Sequence, residues 1–265
     1  MPHTYTLRVF TRGDEGGNHL GVIPDVTGFT DEAMQRTATR LGHSETIFID
    51  RRAGGIPLVR IFTPAAEIPF AGHPLVGAAW VMGVLAPGDV DRVRCGVGEI
   101  PFWAEGDLTW VETPASSEVV PQCEVVSPVS GPGLGGPTRG WLVSMPMSYL
   151  LLDLGSSQAV STADPDLARL TDAAWEGTMV YARRGGRVRA RFFAPRLGVP
   201  EDPATGSAAA ALAAVLRWEG EAAGSLLVDQ GDEIGAPSTI HLAWSGETVS
   251  LGGSVRRDDV RLIEP

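Results

Sequence analysis

Three stretches carry side chains whose types and spacing suit proton transfer at carbon. In His43-Ser44-Glu45-Thr46-Ile47-Phe48-Ile49 a carboxylate enters an apolar, strand-like run. A charge there is costly unless it is paired or its pKa rises, and a raised carboxylate pKa is what a carbon-acid base near neutrality needs. A strand-start glutamate turned to solvent is the competing reading. His73 stands in Phe70-Ala71-Gly72-His73-Pro74, at a helix start. The positive dipole end there favours a neutral imidazole, as hydrogen-bond donor or proton relay. A histidine bonded to a nearby carbonyl would look the same. Glu201-Asp202-Pro203-Ala204-Thr205-Gly206-Ser207 is a second such start, with Pro, Gly and Ser again in place. Bare amides at two helix starts are candidate anion sites, suited to a small carboxylate, and ordinary capping by Asp202 and Ser207 is the alternative.

Composition removes other chemistries. All 21 cations are arginine and the chain has no lysine. Pyridoxal phosphate cannot be held as an aldimine, Schiff-base lyase chemistry is closed, and the P-loop Gly-Lys pair is missing. A formal charge of −11 with scattered arginines argues against nucleic acid as a partner. Cys95 and Cys123 are too few for a disulfide framework or a cysteine-rich zinc site, and His3, His19, His43 and His241 form no ligand pattern. No metal and no cofactor are expected. The longest apolar run, Leu75 to Ala86, is 12 residues, short of the roughly 20 a membrane span requires, and the N-terminus lacks a signal-peptide pattern. A soluble, cytoplasmic protein with no membrane partner is the expectation.

The elements that must position these residues read as α/β throughout. Glu112 to Gly140 holds five prolines and five glycines in 29 residues, which breaks helix and long strand alike. It reads as a connection, with room for one edge strand at Cys123–Val126. The expected organisation is an N-terminal half over 1–115, a linker over 116–138 and a C-terminal half over 139–265. The halves repeat: Arg60–Leu85 aligns without gaps on Arg191–Leu216, with eight of 26 positions identical. Each copy reads strand, proline-bounded loop, small-residue helix. Helices are expected at Thr30–Leu41 with Thr30 as N-cap, His73–Val84, Asp164–Leu170 and Gly206–Gly220. Strands outnumber helices about two to one, which favours two mixed sheets, each curled around a central helix, over a doubly wound parallel sheet. The only dinucleotide-type glycine pattern, near Gly131–Gly136, lacks a strand-to-helix context.

Five segments together resemble the PhzF-like family, relatives of the phenazine-biosynthesis isomerases with a diaminopimelate epimerase-like fold. They are Val9-Phe10-Thr11 through Gly17-Asn18-His19-Leu20; Ser44-Glu45-Thr46; Phe62-Thr63-Pro64 through Phe70-Ala71-Gly72-His73-Pro74; Phe193-Ala194-Pro195 through the Glu201–Ala208 string; and Gln230-Gly231 through Pro237-Ser238. Order and spacing span nearly the whole chain. The resemblance implies two pseudo-symmetric domains with the active site in the cleft between them. It makes Glu45 the general acid/base, with His73 and Asp202 assisting proton transfer. Gly72, Gly206 and Ser207 would bind the substrate carboxylate, with Asn18 and Ser44 nearby. The chain departs from the family at His19, where Pro is common, at Leu75, where Thr is frequent, and at Ala236, where Arg is frequent. These positions were expected at the cleft or its rim, which leaves the substrate open.

The function expected on this basis is a cofactor-independent isomerase. It would shift a proton and a double bond on a small unsaturated amino or carboxylic acid in a biosynthetic pathway, secondary-metabolite or antibiotic biosynthesis being the family's setting. An amino-acid racemase or epimerase of the same fold is the alternative, although its two facing thiols have no obvious counterpart in Cys95 and Cys123. A non-catalytic small-molecule binder is the third. Trp80, Trp103 and Trp110 are open to two readings, core packing or the face of a homodimer of the kind the family often forms.

Overall fold

The computed structural model describes residues 3–52, 54–85, 87–113, 117–122, 129–130 and 139–263. The edge strand expected at Cys123–Val126 lies outside them, and so does Cys123. The first half runs β1 (His3–Val9), β2 (Asn18–Ile23), α1 (Asp31–Leu41), β3 (Glu45–Asp50), β4 (Leu58–Phe62), β5 (Glu67–Ile68), α2 (Gly72–Leu85), β6 (Arg92–Cys95), β7 (Gly98–Glu105) and β8 (Leu108–Thr113). The second runs β9 (Glu118–Gln122), β10 (Val129–Ser130), β11 (Arg139–Ser144), β12 (Ser148–Asp153), α3 (Ser157–Ser161), β13 (Asp164–Pro165), α4 (Leu167–Thr171), β14 (Gly177–Arg184), β15 (Arg187–Ala194), β16 (Val199–Asp202), α5 (Gly206–Trp218), β17 (Ala223–Gln230), β18 (Ser238–Ser245) and β19 (Thr248–Leu262).

In the first half, β1, β2, β3, β4, β6, β7 and β8 pair side by side, and β19 closes the ring by bonding both β8 and β1. The second half is a matching series from β9 through β11, β12, β14, β15, β17 and β18 to β19. The closing strand is shared. Val249–Ser254 of β19 pair with β8, and Val255–Leu262 continue onto β1 at the start of the chain. This extension was not expected, because Val255–Leu262 reads as a charged tail; its pairing with β1 holds it as a strand.

Each barrel is filled by one helix. From Gly206 to Leu216 every residue of α5 is buried, and in α2 burial runs almost all round. A helix apolar on all sides belongs inside a core, and Ala and Gly let the strands wrap closely. α1 instead packs outside the first barrel, with the expected Thr30 cap on the Ala33 amide and Gly42 ending it in the left-handed region. One expected helix is corrected: Asp164–Leu170 begins as β13 and turns helical only at Leu167, because the Asp166 carboxylate caps the Arg169 amide.

The repeat also needs a correction. Strand register agrees with the gapless alignment, Phe62 sitting opposite Thr46 and Phe193 opposite Thr178. The helix starts do not, because the second copy inserts a 3-10 turn at Pro195–Leu197. Gly72 and Gly206 are the true counterparts, and they touch: a Cβ on Gly206 would stand 3.1 Å from the Gly72 Cα and from Leu251 Cδ1. His73 therefore corresponds to Ser207. Gly206→Ala should lose about 1–3 kcal/mol of stability in urea unfolding, from overpacking against backbone; an unchanged midpoint would show that the helix starts can separate freely.

Candidate functional site

The two helix starts meet at a cavity of about 40 Å³ between the barrels. The first half supplies Glu45, Thr63, Ala71, Gly72 and His73. The second supplies an apolar wall of Met147, Tyr149, Phe192, Ala194, Leu197 and Val199, and a polar one of Asp202, Thr205, Gly206 and Ser207. Glu45, His73, Asp202, Gly72, Gly206 and Ser207 thus gather from positions up to 162 residues apart. Glu45 begins β3, so its backbone is fixed by the sheet while its side chain reaches the rim; His73 rides on the first turn of α2.

His73 Nε2 lies 3.3 Å from Glu45 Oε2, with side-chain exposures of 4% and 17%. The two atoms do not meet as a hydrogen bond, and neither has another hydrogen-bond partner in the protein. Burial lowers the His73 pKa to about 3, the nearby His43 ring adding to the effect and a hydrogen bond with the His19 backbone opposing it. Nδ1 has Asn18 Nδ2 beside it at 3.5 Å, while Nε2 faces Glu45. Burial, then the Asp202 carboxylate, push Glu45 well above its ordinary pKa. Asp202 is raised to about 6 by burial, against the stabilising bonds from Thr205 and Asn18.

Asn18 and Ser44 stand one layer behind the cavity. Ser44 Oγ donates to Asn18 Oδ1 at 2.8 Å, and Asn18 Nδ2 donates to Asp202 Oδ1 at 2.9 Å and the Ala204 carbonyl at 3.0 Å. Asn18 is fully buried and links the His73 side of the cleft to Asp202. Asp202 does not cap α5, the capping reading weighed from the sequence: its oxygens accept from Asn18 and from the Thr205 hydroxyl. Thr205, the N-cap residue, makes no side-chain capping bond, so it leaves the amides at the helix start to the cavity.

Sequence reasoning missed Thr205, Gln230 and Tyr149. Gln230 Nε2 donates to the Asp202 carbonyl at 2.6 Å and holds the loop before α5. The signal for Tyr149 was a lone phenol in the aliphatic strand Tyr149–Leu152, since a buried tyrosine hydroxyl needs a partner. None of the three departures lines the cavity: Leu75 is buried in the first barrel, the exposed His19 ring stacks on His43 at 5.8 Å, and Ala236 bonds within its own loop. Trp80 packs against the core, while Trp103 is 39% exposed and stacks flat on Trp110 at 6.0 Å. Cys95 ends β6, away from the cavity. Among the described residues, no group of three His, Cys, Asp or Glu side chains could hold a metal, and no helix is long and apolar enough to cross a membrane.

Two barrels, each around a helix, meet at a carboxylate-bearing cleft. Residues 7–255 match the PhzC-PhzF family of phenazine biosynthesis-like proteins, and the chain belongs to that family. It is 35% identical over 246 residues to trans-2,3-dihydro-3-hydroxyanthranilate isomerase of Pseudomonas aeruginosa, covering 88% of each chain. A PhzF-family structure from Enterococcus faecalis superposes with a TM-score of 0.79 at 21% identity, covering 98% of this chain and 97% of that one. A hydroxyproline epimerase from Agrobacterium vitis shares the fold at a TM-score of 0.65 and 12% identity, covering 98% and 91%. The chain is therefore a PhzF-family isomerase.

Because the folded pKa of Glu45 exceeds its unfolded value, its contribution to stability is intact below the ordinary 4.5 and lost as pH rises. Glu45→Gln cannot ionise. Its stability relative to wild type should climb between pH 4 and pH 8 in urea unfolding, and parallel pH curves for the two proteins would refute the raised pKa.

Proposed function

We propose that the protein shifts a proton, and with it a double bond, on a small unsaturated carboxylic acid, using Glu45 as general acid and base without a cofactor. The observation that carries this reading is the Glu45–His73 pair: two buried, unpartnered groups 3.3 Å apart in the cavity wall. Glu45 acts as a carboxylate facing the substrate, and His73, held neutral by burial, lines the site beside it. That carboxylate removes a proton from an activated carbon and redelivers it to another carbon on the same face. Negative charge developing on the substrate carboxylate is met by the amides of Gly72, Gly206 and Ser207. A cavity of about 40 Å³ must widen to admit such a molecule, and the apolar wall of the second half suits its hydrocarbon part.

Register supports this reading over epimerisation. Phe62 and Phe193 are counterparts, so Thr46 corresponds to Thr178 and Glu45 to Gly177. The second half therefore has no base at the position equivalent to Glu45. Its own acid, Asp202, has both oxygens engaged, which suits it to holding Asn18 and the α5 loop in place. One base favours transfer along one face. Trans-2,3-dihydro-3-hydroxyanthranilate, named for the Pseudomonas relative, is the substrate to offer first, within a biosynthetic pathway.

In heavy water the product should carry deuterium at the newly protonated carbon, and Glu45→Gln should lower kcat by about 10²–10⁴-fold with binding retained. Full activity in Glu45→Gln would exclude Glu45 as the acid/base.

A further inference from the structure

Tyr149 lines the cavity with 1% of its surface exposed, and its hydroxyl meets Ser207 Oγ at 2.9 Å. Two hydroxyls joined by one mutual hydrogen bond hold two protons, so one proton must point elsewhere. Ser207 is itself 5% exposed and lines the same cavity, at the uncapped start of α5. The tyrosine ring cannot swing away. Phe192 meets it edge-on, with ring centroids 5.5 Å apart at 77°. Phe192 in turn occupies the space above Gly177, where an added Cβ would stand 2.1 Å from its Cζ. The counterpart of Glu45 is thus a glycine that makes room for the aromatic pair.

We infer that Tyr149 is a positioning residue for the isomerisation: it donates its hydroxyl proton to Ser207 Oγ and so directs the serine proton into the cavity, toward the substrate carboxylate. This rests on the carbon-acid reading of the site. A serine in the first turn of a helix, left to itself, rotates among local backbone partners as well as the ligand. Tyr149 occupies one lone pair of the serine oxygen and fixes the direction of its donor before reaction. When the carbon-bound proton leaves, charge moves onto the carboxylate, and a donor already aimed there strengthens in the transition state. The loss on removing Tyr149 should therefore appear in kcat more than in KM.

The test is a double-mutant cycle of Tyr149→Phe and Ser207→Ala with trans-2,3-dihydro-3-hydroxyanthranilate, and with 2-aminobenzoate binding by calorimetry as a second readout. Each single variant should lose about 10- to 100-fold in kcat/KM, mainly in kcat, and the double variant should be no worse than Ser207→Ala alone. Tyr149→Phe keeps the ring and its packing, so a purely structural role would leave kcat unchanged or would add its full effect to the Ser207→Ala background. Either result overturns the inference, as does wild-type protein that binds no 2-aminobenzoate. A wild-type protein that binds 2-aminobenzoate yet turns over no substrate would sink the isomerase mechanism alone. The cycle in binding would still decide Tyr149: a several-fold weaker Kd in Tyr149→Phe that vanishes in the Ser207→Ala background supports it, and equal Kd values refute it.

Discussion

A carboxyl group buried against a neutral imidazole, with neither atom hydrogen-bonded, is an expensive arrangement, and much of the molecule serves to hold it. The cost of an unsatisfied buried polar group runs to about 1–3 kcal/mol, and solvent or a rotamer change would relieve it if the surroundings allowed. They do not. Glu45 is fixed at the start of a central strand, and His73 on the first turn of a helix enclosed by its barrel. Asn18 braces the second side of the cleft through Asp202, Ala204 and Ser44. Every cation of the chain is an arginine, and none lines the cavity to pair with either acid. The unpaired carboxyl thus persists, and its burial, with Asp202 close by, holds its pKa above the ordinary value.

Holding two half-sites in register across a cleft demands that the halves not drift apart, and the shared strand answers this. β19 bonds to β18 and β8 through its first half and to β1 through its second. The first barrel does not close with its own segment of chain alone. Gly72 and Gly206 sit in contact beneath the cavity, so the two helix starts approach as closely as backbone allows. Side chains at either position would push the two helix starts apart.

The duplication is preserved in backbone and broken in chemistry. Equivalent positions read Glu45 against Gly177 and His73 against Ser207. The first half keeps the raised carboxyl and its buried imidazole neighbour. The second gives up that acid, and the vacated volume seats Phe192 against Tyr149. An active site that remained symmetric would place one base on each face of the substrate. This one concentrates the free base on one side and an apolar, hydroxyl-bearing wall on the other.

Much of this was legible in the sequence, for local reasons. Pro and Gly at Phe70–Pro74 and Glu201–Ser207 mark helix starts because few other residues fit there, and Glu45 entering Thr46–Ile49 stands out because charge is costly in an apolar strand. Thr30 capped α1 as its type dictates. What only the tertiary structure decided depends on partners distant in sequence. Val255–Leu262 has the composition of a solvated tail and becomes a strand because β1 is there to bond it. Leu75, expected at the rim, belongs to the core, and Asn18, expected near the substrate, gives its amide to Asp202 and Ala204. Tyr149 acquired a partner only when α5 brought Ser207 to it. Residue type and spacing set which groups could do chemistry; the packing of two halves on one shared strand set which of them meet, and how deeply each is buried.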